Sequence, residues 1–326
     1  MSRSSVLPGP PALVTLPGSI IASDTEFDLF RQLLYRHAGI DLGPHKRQFL
    51  QARLARRLRA LGLPGFGPYY RLLTREDGAG EEMTRFINAM TTNKTDFFRE
   101  SHHFIHLAET WLPGIRQRAG RSGDRSIRIW SAGCSTGEEP YTTSMVLRDG
   151  LAGFAGWDVR ILASDIDTDV LERAAQGCYT LPQTSAIPPR ALVRHFLLGQ
   201  GDHAGLVCVR PEVRAPITFR RINLLDEAWP IRTRFDVIFC RNVLIYFDRA
   251  AQRRIIERFA ALLKPEGLLF LGHSESLHGL VSDFEPLGNT IYRLVPPSPG
   301  GGPAIVWAGD PSDASCSTAG RPMDGG

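Results

Sequence analysis

The chain's 326 residues leave room for about two domains, and a hydrophobic share of 43% is ordinary for a protein that buries a sizeable core. A net charge of +4 is mildly basic and marks no extreme class, and no apolar run approaches the length needed to cross a bilayer. Five cysteines, odd in number and without a CxxC pair, argue against a disulfide framework or a zinc knuckle and fit a reducing compartment.

Residues 1–23 are rich in Ser, Pro and Gly but lack the charged-then-apolar layout of a secretory signal, so the chain reads as cytoplasmic. They read as a flexible segment, as does the tail over 296–326, which begins Pro296-Pro-Ser-Pro-Gly-Gly-Gly-Pro303. Between them, Phe27, Phe30, Leu33 and Leu34 recur at helical spacing from Asp24 until Gly39 stops the segment. A second helix runs from about Pro44 to Leu61, with Phe49, Leu50, Leu54, Leu58 and Leu61 in one stripe. Around that stripe stand Lys46, Arg47, Arg53, Arg56, Arg57 and Arg59, with no acidic residue in the helix. Shorter helices are expected at about 66–75 and 80–90, so residues 24–90 read as a helical domain. Its basic helix, through Arg53, Arg56, Arg57 and Arg59, offers a surface to a negatively charged partner.

Thr91-Thr-Asn-Lys-Thr-Asp-Phe-Phe-Arg-Glu100 is a polar run closed by aromatics, able to cover a ligand with Asn93, Thr95 and Arg99. A helix over about His102–Arg118 leads to a strand beginning at Ile127. Gly133 and Gly137, set among small residues, then let the backbone turn sharply and approach a ligand closely. The helix after them carries Pro140 in its first turn, where a missing N–H costs nothing. Strand, small-residue loop and helix make the first unit of a nucleotide-type α/β fold. Glu138 and Glu139 would repel a pyrophosphate, and suit a ligand with hydroxyls and a positive charge, as S-adenosylmethionine has.

Asp158-Val-Arg-Ile-Leu-Ala-Ser-Asp165 is a second strand ending in an acid that can accept hydrogen bonds from two ribose hydroxyls. Asp165, Asp167 and Asp169 are the candidates; Asp167-Thr-Asp169 starts a helix, so capping explains at least one of that pair, and Asp165, directly at the strand end, is favoured. Over about 178–221 the alternation is interrupted. A short helix near 188–196, glycines at 199, 201 and 205, and alternating stretches up to Ile217-Thr-Phe-Arg-Arg221 suggest a β insertion of short antiparallel strands. The α/β pattern resumes with a buried strand over Phe235–Cys240, an amphipathic helix over Arg249–Lys264, and strands at 267–273 and 290–295.

Taken together, TTNKTDFFRE, IWSAGCSTGEEPY, ASDIDTDVL, FCRNVLIYF and KPEGLLFLGHSES resemble the bacterial chemotaxis receptor methyltransferases, the CheR family, and the resemblance runs from Asp24 to Val295. It implies an α/β fold: a Rossmann-like seven-stranded S-adenosylmethionine-dependent methyltransferase domain over 91–295 with a small β subdomain, preceded by an all-α N-terminal domain. It implies transfer of a methyl group to glutamate side chains of chemoreceptors, with S-adenosylhomocysteine as product; a monomer is expected, and the sequence shows no metal cluster. Asn93, Thr95 and Arg99 match the family's cofactor-covering segment, and one of Glu138 and Glu139, with Glu139 favoured, matches its loop carboxylate. Asp165 matches the ribose-binding acid, Asn223 and Leu224 flank the adenine, and Arg241, Asn242 and Tyr246 match the stretch near the reacting methyl. Arg99 or Tyr246 would hold the acceptor carboxylate, giving these two the catalytic roles. Lys94 departs from the family, where that position is often apolar. The loop at 199–205 resembles the version in relatives that hold a tethering peptide from the receptor's C-terminus.

Two other classes compete: a nucleic-acid methyltransferase tracking phosphates with the basic helix, and a non-catalytic receptor-binding adaptor that keeps the fold. Against the first, neither a Pro-Cys nucleophile nor an Asn/Asp-Pro-Pro-aromatic motif is present. Against the second stands the intact set of cofactor-type residues. His102 and His103 are adjacent rather than spaced for a zinc site.

Overall fold

Ser23 caps the first helix. Its hydroxyl accepts from Glu26 N at 3.2 Å, and the Glu26 carboxylate accepts from Ser23 N at 2.9 Å, so two helix-start donors are satisfied reciprocally. That helix, α1 (Asp24–Ala38), ends at Gly39, where φ is +68° and a Cβ would lie 2.0 Å from Leu225 Cδ1. The computed structural model describes residues 21–75, 80–281 and 283–295; the tail read as flexible, and residues 1–20 of the N-terminal segment, lie outside the described residues.

A 3₁₀ turn over Pro44–Lys46 leads into α2 (Arg47–Ala60), and α3 (Phe66–Leu73) and α4 (Glu81–Met90) complete the helical part. Leu50, Leu54 and Leu58 lie one turn apart on α2 and are fully buried. They pack into a core where the Phe30 ring lies 5.8–6.0 Å from those of Phe66, Tyr69 and Phe86. One charge enters this core. Glu82 of α4 is 8% exposed and accepts from Tyr69 Oη at 2.8 Å and from Arg57 Nε at 3.0 Å. The basic helix is therefore not without counter-charge, as its own sequence suggested: α4 supplies it to Arg57, and Asp24 supplies it to Arg47.

After the 91–100 segment, α5 (His102–His106) passes through a π-helical turn, Leu107–Trp111, into α6 (Leu112–Ser122). Then follow β1 (Ser126–Ala132), α7 (Glu138–Gly150), β2 (Asp158–Asp165) and α8 (Thr168–Gln176). A small sheet is built from β3 (Cys178–Thr180), β4 (Phe196–Leu198) and β5 (Leu206–Val209), with α9 (Pro189–His195) between the first two. Next come α10 (Pro211–Arg214), β6 (Ile217–Arg221), β7 (Phe235–Cys240), α11 (Arg249–Leu262), β8 (Leu263–Leu271), β9 (Phe284–Gly288) and β10 (Ile291–Leu294).

Seven strands form one sheet in the order β6-β2-β1-β7-β8-β10-β9. The first five are parallel, and β10 and β9 close the far edge antiparallel. All six residues of β7 are buried, as expected for a central strand covered by helices on both faces. The chain winds outward one way from β1 through β2 to β6 and the other way from β7 to β8, so strand order reverses between β1 and β7. At such a reversal the loops leaving adjacent strands splay apart, and ligands bind in the crevice at the strands' carboxyl ends.

The small sheet has the order β3-β5-β4, antiparallel throughout. Two expectations need correction here. Ile217–Arg221, read as part of the antiparallel insertion, pairs in parallel with β2 in the main sheet; its alternating pattern reflects an edge strand with one covered face. And two of the cysteines are joined. Cys178 and Cys208 stand directly opposite on β3 and β5 and form a disulfide, 30 residues apart in sequence. Spacing alone could not reveal this pair, because strand pairing brings the two residues together. No helix among the described residues is long and apolar enough to cross a membrane.

Candidate active site

The loop that leaves β1 is held to β2 by its backbone: Gly133 N and Cys134 N both donate to Ser164 O, at 2.8 and 2.9 Å. Gly133 has φ +83°, and a Cβ there would meet Val243 Cγ2 at 2.3 Å. The β1 and β7 loops therefore approach each other closely at the strand-order reversal, and only a glycine permits it. Between them opens a cavity of about 320 Å³.

Ten of the residues singled out from sequence line it: Asn93, Thr95, Arg99, Glu139, Asp165, Asn223, Leu224, Arg241, Asn242 and Tyr246. Glu138 does not. It is 3% exposed and accepts from Thr136 Oγ1 at 2.7 Å, away from the cavity, and burial raises its carboxyl. Glu139 accepts from Ser131 Oγ at 2.6 Å and from Arg241 Nη1 at 3.1 Å. Burial raises the Glu139 carboxyl, against the pull of Arg241.

Asp165 ends β2 with its carboxylate 9% exposed and both oxygens engaged: Oδ2 accepts from Ser135 N at 2.9 Å and Oδ1 from Asp167 N at 3.0 Å. Burial pushes it up to about 6, against the pull of those two amides. Each oxygen retains a lone pair for a ligand hydroxyl. On the far side of the cavity, Asn223 Nδ2 donates to His37 O at 2.9 Å, and Leu224 is buried. Ala38, the last residue of α1, and Ile40 just beyond it line the cavity there, and Asp41 N donates to Tyr246 O at 2.9 Å. The helical part thus supplies wall to the cavity, a contribution the sequence reading missed.

Arg241 organises the β7 end. It is 6% exposed, its guanidinium stands 5.4 Å over the Phe104 ring, and Nη2 donates to the Arg99 carbonyl. It faces two carboxylates, Glu139 at 3.1 Å and Glu100 at 3.4 Å. Although burial works to raise it, Glu100 is held down at about 2 by the His273 hydrogen bond and the Arg241 charge. Glu275, 5% exposed, accepts from Asn242 N at 2.8 Å, Gly272 N at 2.6 Å and Ile245 N at 3.3 Å, pinning the 241–246 turn. Glu100 and Glu275 were not legible from sequence as site residues: each lies outside the loop it holds. Glu100, His102 and His103 place their ligand atoms within 4.8 Å of one another. Positive charge there comes from Arg241 itself, and burial, with that charge, holds His103 down at about 4.

Arg99 differs from Arg241. Its Nη1 donates to Lys94 O at 2.8 Å, and it forms no ion pair among the described residues. The cavity therefore contains carboxylates at Asp96, Glu139 and Asp165, an apolar wall from Ala38, Ile40 and Leu224, the paired Arg241, and two cations without an ion pair among the described residues, exposed Lys94 and half-buried Arg99. This donor set fits a nucleoside carrying hydroxyls and a cationic tail, S-adenosylmethionine among them.

The four arginines read as a partner surface divide. Arg53, Arg56 and Arg57 line a second cavity of about 490 Å³ with Arg85, Asn88 and Asp169, and Arg59 lies outside it, exposed, donating to Ala55 O. Arg53 donates to Thr91 O at 2.9 Å and stacks 4.9 Å over Phe49, and Arg57 is tied to Glu82, which leaves Arg56 and Arg59 as the exposed pair.

Comparison with known proteins gives matches over nearly the whole described chain. Residues 25–91 match the family described as CheR methyltransferase, all-alpha domain, and residues 93–293 match CheR methyltransferase, SAM binding domain. A chemotaxis protein methyltransferase of Salmonella typhimurium is 46% identical over 282 residues, covering 86% of this chain and 94% of that one. One of Escherichia coli is 46% identical over 283 residues, covering 86% and 95%. Chemotaxis protein methyltransferase 2 of Pseudomonas aeruginosa is 46% identical over 267 residues, covering 82% and 92%.

Proposed function

This chain belongs to the CheR methyltransferase family, an S-adenosylmethionine-dependent methyltransferase of chemotaxis, and from that premise we propose that it esterifies glutamate side chains of chemoreceptors. The observation that carries the choice of acceptor is Arg99: a cavity cation left without a carboxylate suits an acceptor that arrives as an anion.

When bound, S-adenosylmethionine supplies a methyl group that is already electrophilic. The residues of the chain bind and align. Asp165 accepts the ribose hydroxyls, Glu139 faces the cationic end, Asn223 and Leu224 border the base, and Asn93 and Thr95 cover the site. Arg241 and Asn242 shape the end where the methyl is presented, with Arg241 keeping the Glu139 charge compensated. A glutamate acceptor has an ordinary pKa of about 4.3 and is ionised at neutral pH, so no general base is required. What is required is alignment and partial removal of water from the carboxylate. Arg99 holds that carboxylate by charge-assisted hydrogen bonds, and Tyr246 adds its hydroxyl.

Recognition of the receptor is divided between two surfaces. The exposed arginines of α2 meet acidic receptor helices. The small sheet has β4 at its edge, with Leu197 and Leu198 45% and 66% exposed, and accepts a tethering peptide as an added strand. The test of the acceptor role is Arg99→Ala, measured with a receptor fragment and with calorimetry in parallel. Loss of about 100-fold or more in kcat/KM for the fragment, with S-adenosylmethionine affinity changed much less, supports it. Near-normal turnover at saturating concentrations of both substrates rejects it.

A further inference from the structure

Asp167, one of two acids the sequence places at a helix start, caps α8: Oδ1 accepts from Asp169 N at 2.9 Å and Val170 N at 3.3 Å. The other carboxylate oxygen does something a cap does not. Oδ2 lies 2.6 Å from the Thr91 hydroxyl, whose one proton goes to this carboxylate in preference to the neutral Asn88 O at 2.8 Å, and 2.7 Å from Asn93 Nδ2, contacts that span 76 and 74 residues of sequence. The side chain is 2% exposed, so these are bonds of a buried carboxylate with both oxygens saturated. Thr91 ends α4, and its carbonyl accepts from Arg53 of α2 at 2.9 Å. Asn93 lines the cofactor cavity; Asp167 does not. The Asn93 backbone is held as well: Ser135 of the glycine loop donates its hydroxyl to Asn93 O at 3.0 Å.

We propose that Asp167 is a positioning residue that latches the covering segment onto the cofactor site and fixes which end of the Asn93 amide meets the cofactor. A carboxylate only accepts, so it must face Nδ2. That leaves Oδ1, which has no protein partner among the described residues, as the acceptor available to a ligand donor. The latch also joins the helical part to the cofactor site, because Thr91 is the C-cap of α4 while Asp167 belongs to the turn after β2. It rests on S-adenosylmethionine binding in this cavity and does not depend on glutamate being the acceptor.

Asp167→Asn separates latch from cap. Asn caps helices about as well as Asp, so the cap survives if its oxygen stays on the α8 amides. Its amide nitrogen then faces Asn93, and that contact is remade only by turning the Asn93 amide round, which presents a donor to the cavity where an acceptor stood. Calorimetry on the full chain should show S-adenosylmethionine affinity about 10-fold or more weaker, with the melting temperature of the free protein within about 3 °C of wild type. The same substitution in an Asn93→Ala background should weaken affinity by less than about twofold, since Asp167 acts through Asn93. Unchanged affinity in Asp167→Asn, or the same loss with Asn93 already removed, overturns the proposal and leaves Asp167 a cap alone. If Asp167→Asn does not fold, Thr91→Val approaches the latch from α4, and wild-type affinity in that variant overturns it equally. A wild-type enzyme that binds S-adenosylmethionine but esterifies no glutamate would refute the proposed acceptor and leave this test standing.

Discussion

Arg57→Ala separates the structural arginines of the basic helix from those free to meet a partner. Arg57 is the principal cation of a carboxylate that is 8% exposed, bonding it through Nε at 3.0 Å and again through Nη2. Removing it leaves Glu82 with the Tyr69 hydroxyl at 2.8 Å and with Arg85 Nη1 at 3.8 Å. Breaking a fully buried pair from one side costs about 3–5 kcal/mol. Arg57 retains 21% side-chain exposure and Arg85 remains near, so the expected loss is about 2–3 kcal/mol, or about 4–10 °C in Tm. Arg56 is exposed, and Arg56→Ala should leave Tm within about 1 °C while slowing receptor methylation, more strongly at low salt. Thermal unfolding followed by circular dichroism reads the first effect, and initial methylation rates at two ionic strengths read the second. A wild-type Tm for Arg57→Ala, or an Arg56→Ala enzyme with normal rates at low salt, refutes this division. Charge reversal at Arg57 is the wrong test of receptor binding, because it would set a second carboxylate against Glu82.

Gly133→Ala should weaken S-adenosylmethionine binding by at least about 10-fold in calorimetry, because both the φ of +83° and the 2.3 Å approach to Val243 oppose a Cβ that must displace a cavity wall. Asp165 gives a pH signature: its folded value of about 6 lies above the ordinary 3.8, so its stabilisation of the free protein is fully present below about 3.8 and is lost as pH rises through about 6. Ribose hydroxyls favour the anion, so S-adenosylmethionine affinity should rise between about pH 5 and 7.5 in wild type and should lose that component in Asp165→Ala. Five cysteines less the Cys178–Cys208 pair leave three, and thiol titration of the denatured, unreduced protein should count three.

What was legible in the sequence is what local pattern encodes. The period-four leucines of α2, the Gly133–Gly137 turn and the acid at the end of β2 announced themselves because each is set by neighbours within a few residues. Ile217–Arg221 did not, since an edge strand shows the same alternation whether its neighbour is parallel or antiparallel. Nor did the partners of the cavity residues. Glu82 compensates an arginine 25 residues away, Glu275 holds a turn 33 residues away, and Asp167 grips Asn93 across 74. Each reads as an ordinary helix-start or loop acid, and only folding shows what it faces.

The methyl group should end on a receptor carboxylate. Incubating the enzyme with methyl-tritiated S-adenosylmethionine, chemoreceptor and, separately, nucleic acid tests it directly. Label is expected on the receptor alone, released as volatile methanol by mild base and absent when the accepting glutamates are changed to alanine. Label that survives base, or that appears on nucleic acid, would contradict it.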